Sequence, residues 1–111
     1  MKKKILVIGA TGLIGRNITK QLSEDGFDVI IMSRSKEKAQ EIFNHKFEII
    51  EADVLDQQSL KFAFYGVDGL LISLPEKKVA EAIPNILKYV KESEVSHLVY
   101  ISGCTVKKEN A

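Results

Sequence analysis

Five short apolar runs punctuate the chain: Ile5–Ile8, Val29–Met32, Phe47–Ile50, Leu70–Leu74 and Leu98–Ile101. Four of them show little alternation of apolar and polar positions, so both faces of those strands are expected to be buried. Strands of that kind belong to parallel sheets covered by helices. Between the runs, apolar residues return at helical spacing. Ile14, Ile18 and Leu22 fall at i, i+4 and i+8, and Gly26 stands where a left-handed C-terminal cap belongs. Ser35 is placed to cap a short helix carrying Ala39, Ile42 and Phe43. Asp56 is placed to cap another, carrying Leu60, Ala63 and Phe64 and stopping at Gly66. From Glu76 to Glu94, Val79, Ile83, Ile86, Leu87 and Val90 share one stripe. Pro84 deletes a backbone donor inside it and predicts a bend or a late start.

The resulting order is βαβαβαβαβ. Right-handed crossovers then favour a doubly wound five-stranded parallel sheet in the order 3-2-1-4-5, an α/β Rossmann fold. With no linker, repeat or low-complexity tract, residues 1–111 are expected to form one domain.

Composition narrows the function classes. A 45% hydrophobic, 28% charged chain reads as globular rather than disordered. The net charge of +1 supplies no general basic field for nucleic acid. No apolar run approaches the ~20 residues that cross a bilayer, and no membrane association is expected. Met1-Lys2-Lys3-Lys4 with the following Ile-Leu-Val-Ile imitates the start of a signal peptide, but the apolar part stops at Gly9. The single cysteine, Cys104, has no intramolecular partner, as in a reducing compartment, and a cytoplasmic location is expected.

The candidate chemistry begins at Gly9-Ala10-Thr11-Gly12-Leu13-Ile14-Gly15, between the first strand and the first helix. Gly9 suits a tight turn, Gly12 removes a Cβ where a pyrophosphate must approach the backbone, and Gly15 lets helix and sheet pack closely. Free N–H groups at the helix opening would face the phosphates, with the helix dipole favouring their charge. Gly9, Thr11, Gly12, Leu13, Ile14 and Gly15 are therefore expected to bind a dinucleotide. The alternative is a structural turn whose glycines are kept for packing alone.

The spacing Gly-x-x-Gly-x-x-Gly resembles the cofactor fingerprint of the short-chain dehydrogenase/reductase superfamily, and most of all its extended and atypical members, including the NmrA-like NAD(P)H-binding group. Ala52-Asp53-Val54 resembles that family's adenine-contacting segment. Asn85-Ile86-Leu87 followed by Val95 to Ser102 resembles its fourth helix running into strand five. The resemblance implies that Asp53 accepts from the adenine amino group and that Val54 lies against the ring. Asp53 can also close an Asx turn, and the two roles are compatible.

Which nucleotide is read at the end of strand two. An NAD site places a carboxylate there, but Ile31-Met32-Ser33-Arg34-Ser35-Lys36 has none. Arg34 can grip a 2′-phosphate with a planar fork, with Ser33, Ser35 and Lys36 as further donors. NADP is expected over NAD, against the alternative of a solvated surface arginine. Leu74 and Pro75 are expected to line the ribose side of the crevice, whereas Lys77 and Lys78 read as the solvated first turn of a helix.

Proton-relay chemistry is not encoded in the tyrosines. The family's Tyr-x-x-x-Lys pair is matched by none of them, since Gly69, Ser93 and Cys104 follow Tyr65, Tyr89 and Tyr100 at the lysine position. Ser102 and Thr105 stand near the family's catalytic hydroxyl but, without that tyrosine, read as strand-end caps. Cys104 reads as a small buried side chain. His45 and His97 have no partner at metal-ligand spacing. The substrate-binding half of such reductases is expected to be absent. Leu98-Val-Tyr-Ile101 would be an apolar sheet edge, which implies a longer parent protein, self-association or a covering partner. The function expected is an NADP(H)-binding domain of an oxidoreductase or epimerase-like protein; the alternative is a non-catalytic dinucleotide sensor.

Overall fold

β1 (Lys4–Ile8) is the central strand of a five-stranded parallel sheet whose order is β3-β2-β1-β4-β5. The computed structural model describes residues 3–101. Around β1 run α1 (Leu13–Glu24), β2 (Asp28–Ser33), α2 (Lys36–Ile42), β3 (Glu48–Glu51), α3 (Gln57–Leu60), β4 (Gly69–Ile72), α4 (Glu76–Val90) and β5 (His97–Tyr100). Ile8 stands opposite Met32 on one side and Ile72 on the other. The chain leaves β1 toward β2 and returns from β3 to β4, so the carboxyl ends of β1 and β4 flank the point where the winding reverses. The fold and strand order match the sequence expectation.

Side chains alternate across each strand, which builds two cores. Leu6, Ile8, Ile30, Met32, Leu70 and Ile72 meet Leu60, Ala63 and Phe64, together with Val79, Ala82 and Ile86 of α4. Val7, Val29, Ile31 and Ile49 meet Ala39 and Phe43, with Leu22 of α1 packed against them. Each fully buried leucine or isoleucine contributes about 2 kcal/mol through the water it sheds. The continuous apolar reading of β1, β2 and β4 follows from this double cover.

Helix ends carry the expected signals. At the end of α1, Gly26 takes a positive φ of 95° and the Phe27 N–H donates back to the Leu22 carbonyl at 3.1 Å. Ser35 caps α2 by accepting from the Lys38 N–H at 3.3 Å, and Asp56 caps α3 by accepting from the Gln58 N–H at 3.1 Å.

Five expectations need correction. The buried line of α1 runs through Gly15, Thr19 and half-buried Leu22, while Ile14 is 41% exposed. Closest approach occurs at Gly15, and that contact rotates the helix away from Ile14. The helix after Asp56 ends at Leu60 rather than at Gly66; Ala63 and Val67 instead donate to Leu60 and Phe64, three residues back, at 3.1 and 3.2 Å. Burial of Leu60, Ala63, Phe64 and Val67 holds this segment, and tight turns satisfy that spacing as well as a helix does. α4 starts at Glu76 and continues through Pro84, so no late start occurs. Pro84 and Ala80 are both exposed, where water can take the acceptor that the missing N–H leaves. α4 ends at Val90 rather than Glu94, because the Ser93 hydroxyl donates to the Val90 carbonyl at 2.8 Å and accepts from Val95 N–H at 3.2 Å. Finally, β5 is exposed along its whole length rather than buried on both faces: it is the apolar sheet edge that the sequence also implied, with Val99 at 51%.

Candidate functional site

Where β1 gives way to α1, the chain turns through Gly9 at a φ of 86°, a conformation that suits glycine. The first intrahelical bond runs from the Arg16 N–H to the Gly12 carbonyl at 2.9 Å. Gly12 occupies the N-cap without any side-chain cap, and no acidic residue lies in the first turn. The N–H groups of Leu13, Ile14 and Gly15 therefore precede the helical ladder and point out of the helix opening. Arg16 braces the turn, its Nε donating to the Thr11 carbonyl at 2.8 Å.

The three glycines differ in what surrounds them. A β-carbon on Gly9 would collide with the Ser73 carbonyl at the end of β4, and one on Gly15 with the Gly9 carbonyl and Ala10. Both are required by the close packing of the turn. A β-carbon on Gly12 would meet only the Gly9 oxygen, at an ordinary 3.7 Å, and its φ of −73° suits any residue. Nothing inside the fold calls for glycine there. The space it leaves lies outside the protein, at the mouth of the helix.

Beside this turn a cleft of about 440 Å³ crosses the carboxyl ends of the strands. Ile8, Gly9 and Thr11 line it from β1 and its turn, and Met32 to Ser35 from the end of β2. Ala52 to Val54 follow β3, and Leu74 follows β4. Seven expected site residues come together there: Gly9, Thr11, Ser33, Arg34, Asp53, Val54 and Leu74. The expected part of Gly12, Leu13 and Gly15 is backbone at the adjoining helix opening. Ile14 stands outside the lining with its exposed side chain, and Pro75 is the exposed N-cap of α4 rather than a wall. Ser102, Cys104 and Thr105 lie outside the described residues.

Several side chains are already engaged. The Ser33 hydroxyl donates to the Ser35 carbonyl at 3.0 Å and accepts from its N–H at 3.2 Å, shaping the β2–α2 turn. Asp53 closes an Asx turn by accepting from the Leu55 N–H at 2.9 Å. The Lys36 N–H donates to a Glu51 carboxylate oxygen at 3.0 Å.

Lys38, Ile42 and Lys78 also line the cleft, where the sequence reading placed none of them. Ile42 was expected in the apolar stripe of α2 and Lys78 in a solvated turn, and Lys38 takes the place expected for Lys36. The available signal was the i, i+4 spacing of Lys38 and Ile42, which puts both on one face of α2. The lining thus holds three cations, Arg34, Lys38 and Lys78, against one carboxylate, Asp53.

A glycine turn, an uncapped helix opening and a cleft at the strand ends beside a winding reversal define a dinucleotide-binding α/β domain. The family model described as NAD(P)H-binding matches residues 9–111. Phenylcoumaran benzylic ether reductase IRL1 of Ginkgo biloba is 33% identical over 99 residues, covering 82% of this chain and 32% of that protein. Among solved structures, the triphenylmethane reductase of Citrobacter sp. aligns with a TM-score of 0.76 and 28% identity, over 87% of this chain and 36% of that one. The NADPH complex of the Escherichia coli quinone oxidoreductase QOR2 aligns with a TM-score of 0.72 and 26% identity, over 86% and 35% of the two chains. The chain belongs to the NAD(P)H-binding family, among the NmrA-like and extended short-chain dehydrogenase/reductases. It spans about a third of the length of these relatives.

Proposed function

We propose that the domain holds NADP(H) and serves an oxidoreductase or epimerase-like protein of the short-chain dehydrogenase/reductase type. The N–H groups of Leu13, Ile14 and Gly15 would take the diphosphate, with Gly9, Thr11 and Gly12 shaping its approach. Asp53 and Val54 would take the adenine, Leu74 a ribose, and Arg34 with Lys38 the 2′-phosphate. When bound, the cofactor supplies a hydride donor or acceptor; the chain's own residues bind and orient it.

The observation that carries NADP over NAD is the charge of the cleft beside β2: Arg34 and Lys38 stand there, and the one lining carboxylate, Asp53, follows β3. An arginine fork matches a phosphate in two parallel charge-assisted hydrogen bonds, whereas a 2′-hydroxyl gains little from it. Gly12 supports the diphosphate assignment, since its missing side chain matters only to something outside the fold. Cytoplasmic residence belongs to the same proposal, supported by the single cysteine; among the described residues no helix is long and apolar enough to cross a membrane.

Isothermal titration with NADPH and NADH tests the assignment. The wild-type chain is expected to bind NADPH at least about tenfold more tightly, a difference of about 1.4 kcal/mol. Arg34→Glu is expected to erase that preference while leaving NADH affinity nearly unchanged. Equal affinities in the wild type, or an unaffected preference in the variant, overturns the phosphate clamp.

A further inference from the structure

The segment after β3 is tied down in two ways that differ in reach. Locally, the Asp53 N–H donates to the Ser59 hydroxyl at 2.9 Å, and that hydroxyl lies 3.0 Å from the Asp53 carbonyl and 2.8 Å from the Asp56 carbonyl. These bonds fold the loop upon itself. The second tie crosses 31 residues of sequence: Asn85 of α4 donates from Nδ2 to the Val54 carbonyl at 2.9 Å. Asn85 Oδ1 in turn accepts from Gln57 Nε2 at 2.9 Å, and Gln57 Oε1 faces Lys88 Nζ at 3.4 Å.

The polarity of this chain of contacts is fixed by chemistry. A backbone carbonyl only accepts and an ammonium only donates, so both amides between them have one permitted orientation. Asn85 cannot turn over without placing its oxygen against the Val54 oxygen. Its half-buried position on α4, beside the fully buried Ile86, anchors the donor to the helix layer. The local Ser59 bonds would survive a shift of the whole loop against α4; the Asn85 bond would not.

We infer that Asn85 is a positioning residue that sets Asp53 and Val54 at the adenosine end of the cleft through the Val54 carbonyl, with Gln57 holding its amide in register. The inference rests on the reading that these two residues meet the adenine. Asn85 is not in the cleft lining, so its action is through Val54.

The test is binding of 2′,5′-ADP, which carries the adenosine and both its phosphates without the nicotinamide half, measured by calorimetry on the full chain. Asn85→Ala and Asn85→Asp are expected to weaken it about tenfold, the aspartate at least as much as the alanine, since it sets a carboxylate oxygen against the Val54 carbonyl. Gln57→Ala, at an exposed helix start where folding is not at risk, is expected to weaken it about threefold. Ile86→Val removes buried volume next door and touches none of these hydrogen bonds. It is expected to lower Tm with the affinity unchanged, separating positioning from general stability. If the wild type binds 2′,5′-ADP and the Asn85 and Gln57 variants bind it within twofold, the positioning role is overturned while the cofactor reading stands. If Ile86→Val weakens binding as much as Asn85→Ala does, the role is structural and the inference fails. If the wild type itself does not bind 2′,5′-ADP, the adenosine reading falls and this inference with it.

Discussion

A β-carbon at Gly9 meets the Ser73 carbonyl, one at Gly15 meets the Gly9 carbonyl, and one at Gly12 meets only the Gly9 oxygen at an ordinary 3.7 Å. The three alanine variants should therefore separate in urea denaturation. Gly9→Ala adds a positive-φ penalty to its clash and should lose at least about 2 kcal/mol. Gly15→Ala should also be destabilised, although alanine favours a helix by about 1 kcal/mol. Gly12→Ala should stay within about 0.5 kcal/mol of the wild type. A large loss at Gly12 would mean that the fold, rather than a ligand, requires glycine there. The sequence reading already gives the three glycines different parts: a tight turn at Gly9, an open approach at Gly12 and close helix packing at Gly15. What the sequence does not display is the clash that makes Gly9 obligatory, with Ser73 returning from β4 against the turn, a contact between residues 64 positions apart.

Helix α4 holds its line across a residue that normally breaks one. Pro84 lacks the N–H that would serve Ala80, and its exposed position lets solvent answer instead. Pro84→Ala restores the intrahelical bond and should stabilise the protein by about 2 kcal/mol, the helix gain exceeding the entropy returned to the unfolded chain. A lowered urea midpoint would show that the proline fits a local geometry that alanine does not. On α2, Ser35→Ala removes the cap and should cost about 1 kcal/mol. Because that cap orients the turn from which Lys38 faces the cleft, NADPH affinity should fall with it.

The type of each element was legible because caps and apolar runs are local signals. Ser35, Asp56 and Gly26 mark their helix ends in the sequence and do so in the structure. What was not legible is rotation and length. The stripe of Ile14, Ile18 and Leu22 is a sound helical pattern, yet packing at Gly15 turns Ile14 outward. Leu60, Ala63, Phe64 and Val67 satisfy helical spacing, yet tight turns bury them equally well. Lys38 and Ile42 share the face of α2 that borders the cleft, a placement that spacing alone does not reveal.

For the molecule as a whole, the two sheet edges differ. β3 ends in Glu48 and Glu51, charges that discourage a neighbouring strand, while β5 presents Leu98, Val99 and Tyr100 at the opposite edge. The sequence had made both the apolar character of β5 and its place at the sheet edge visible; only the burial of both faces expected of such runs does not hold there. In isolation the 111-residue chain should associate through this edge, with a mass by light scattering that rises with concentration. Val99→Lys should lower that association. A strictly monomeric wild type at high concentration contradicts it.

At the helix opening beside Gly12, the uncapped amides of Leu13, Ile14 and Gly15 are the groups proposed to hold the diphosphate. Amide chemical shifts of isotopically labelled protein, followed while NADPH is added, address those groups one by one. The largest changes should fall at Leu13, Ile14 and Gly15, with Arg34 and Val54 following at the adenosine end. Saturable binding that leaves the three helix-opening amides unmoved would rule out the diphosphate site.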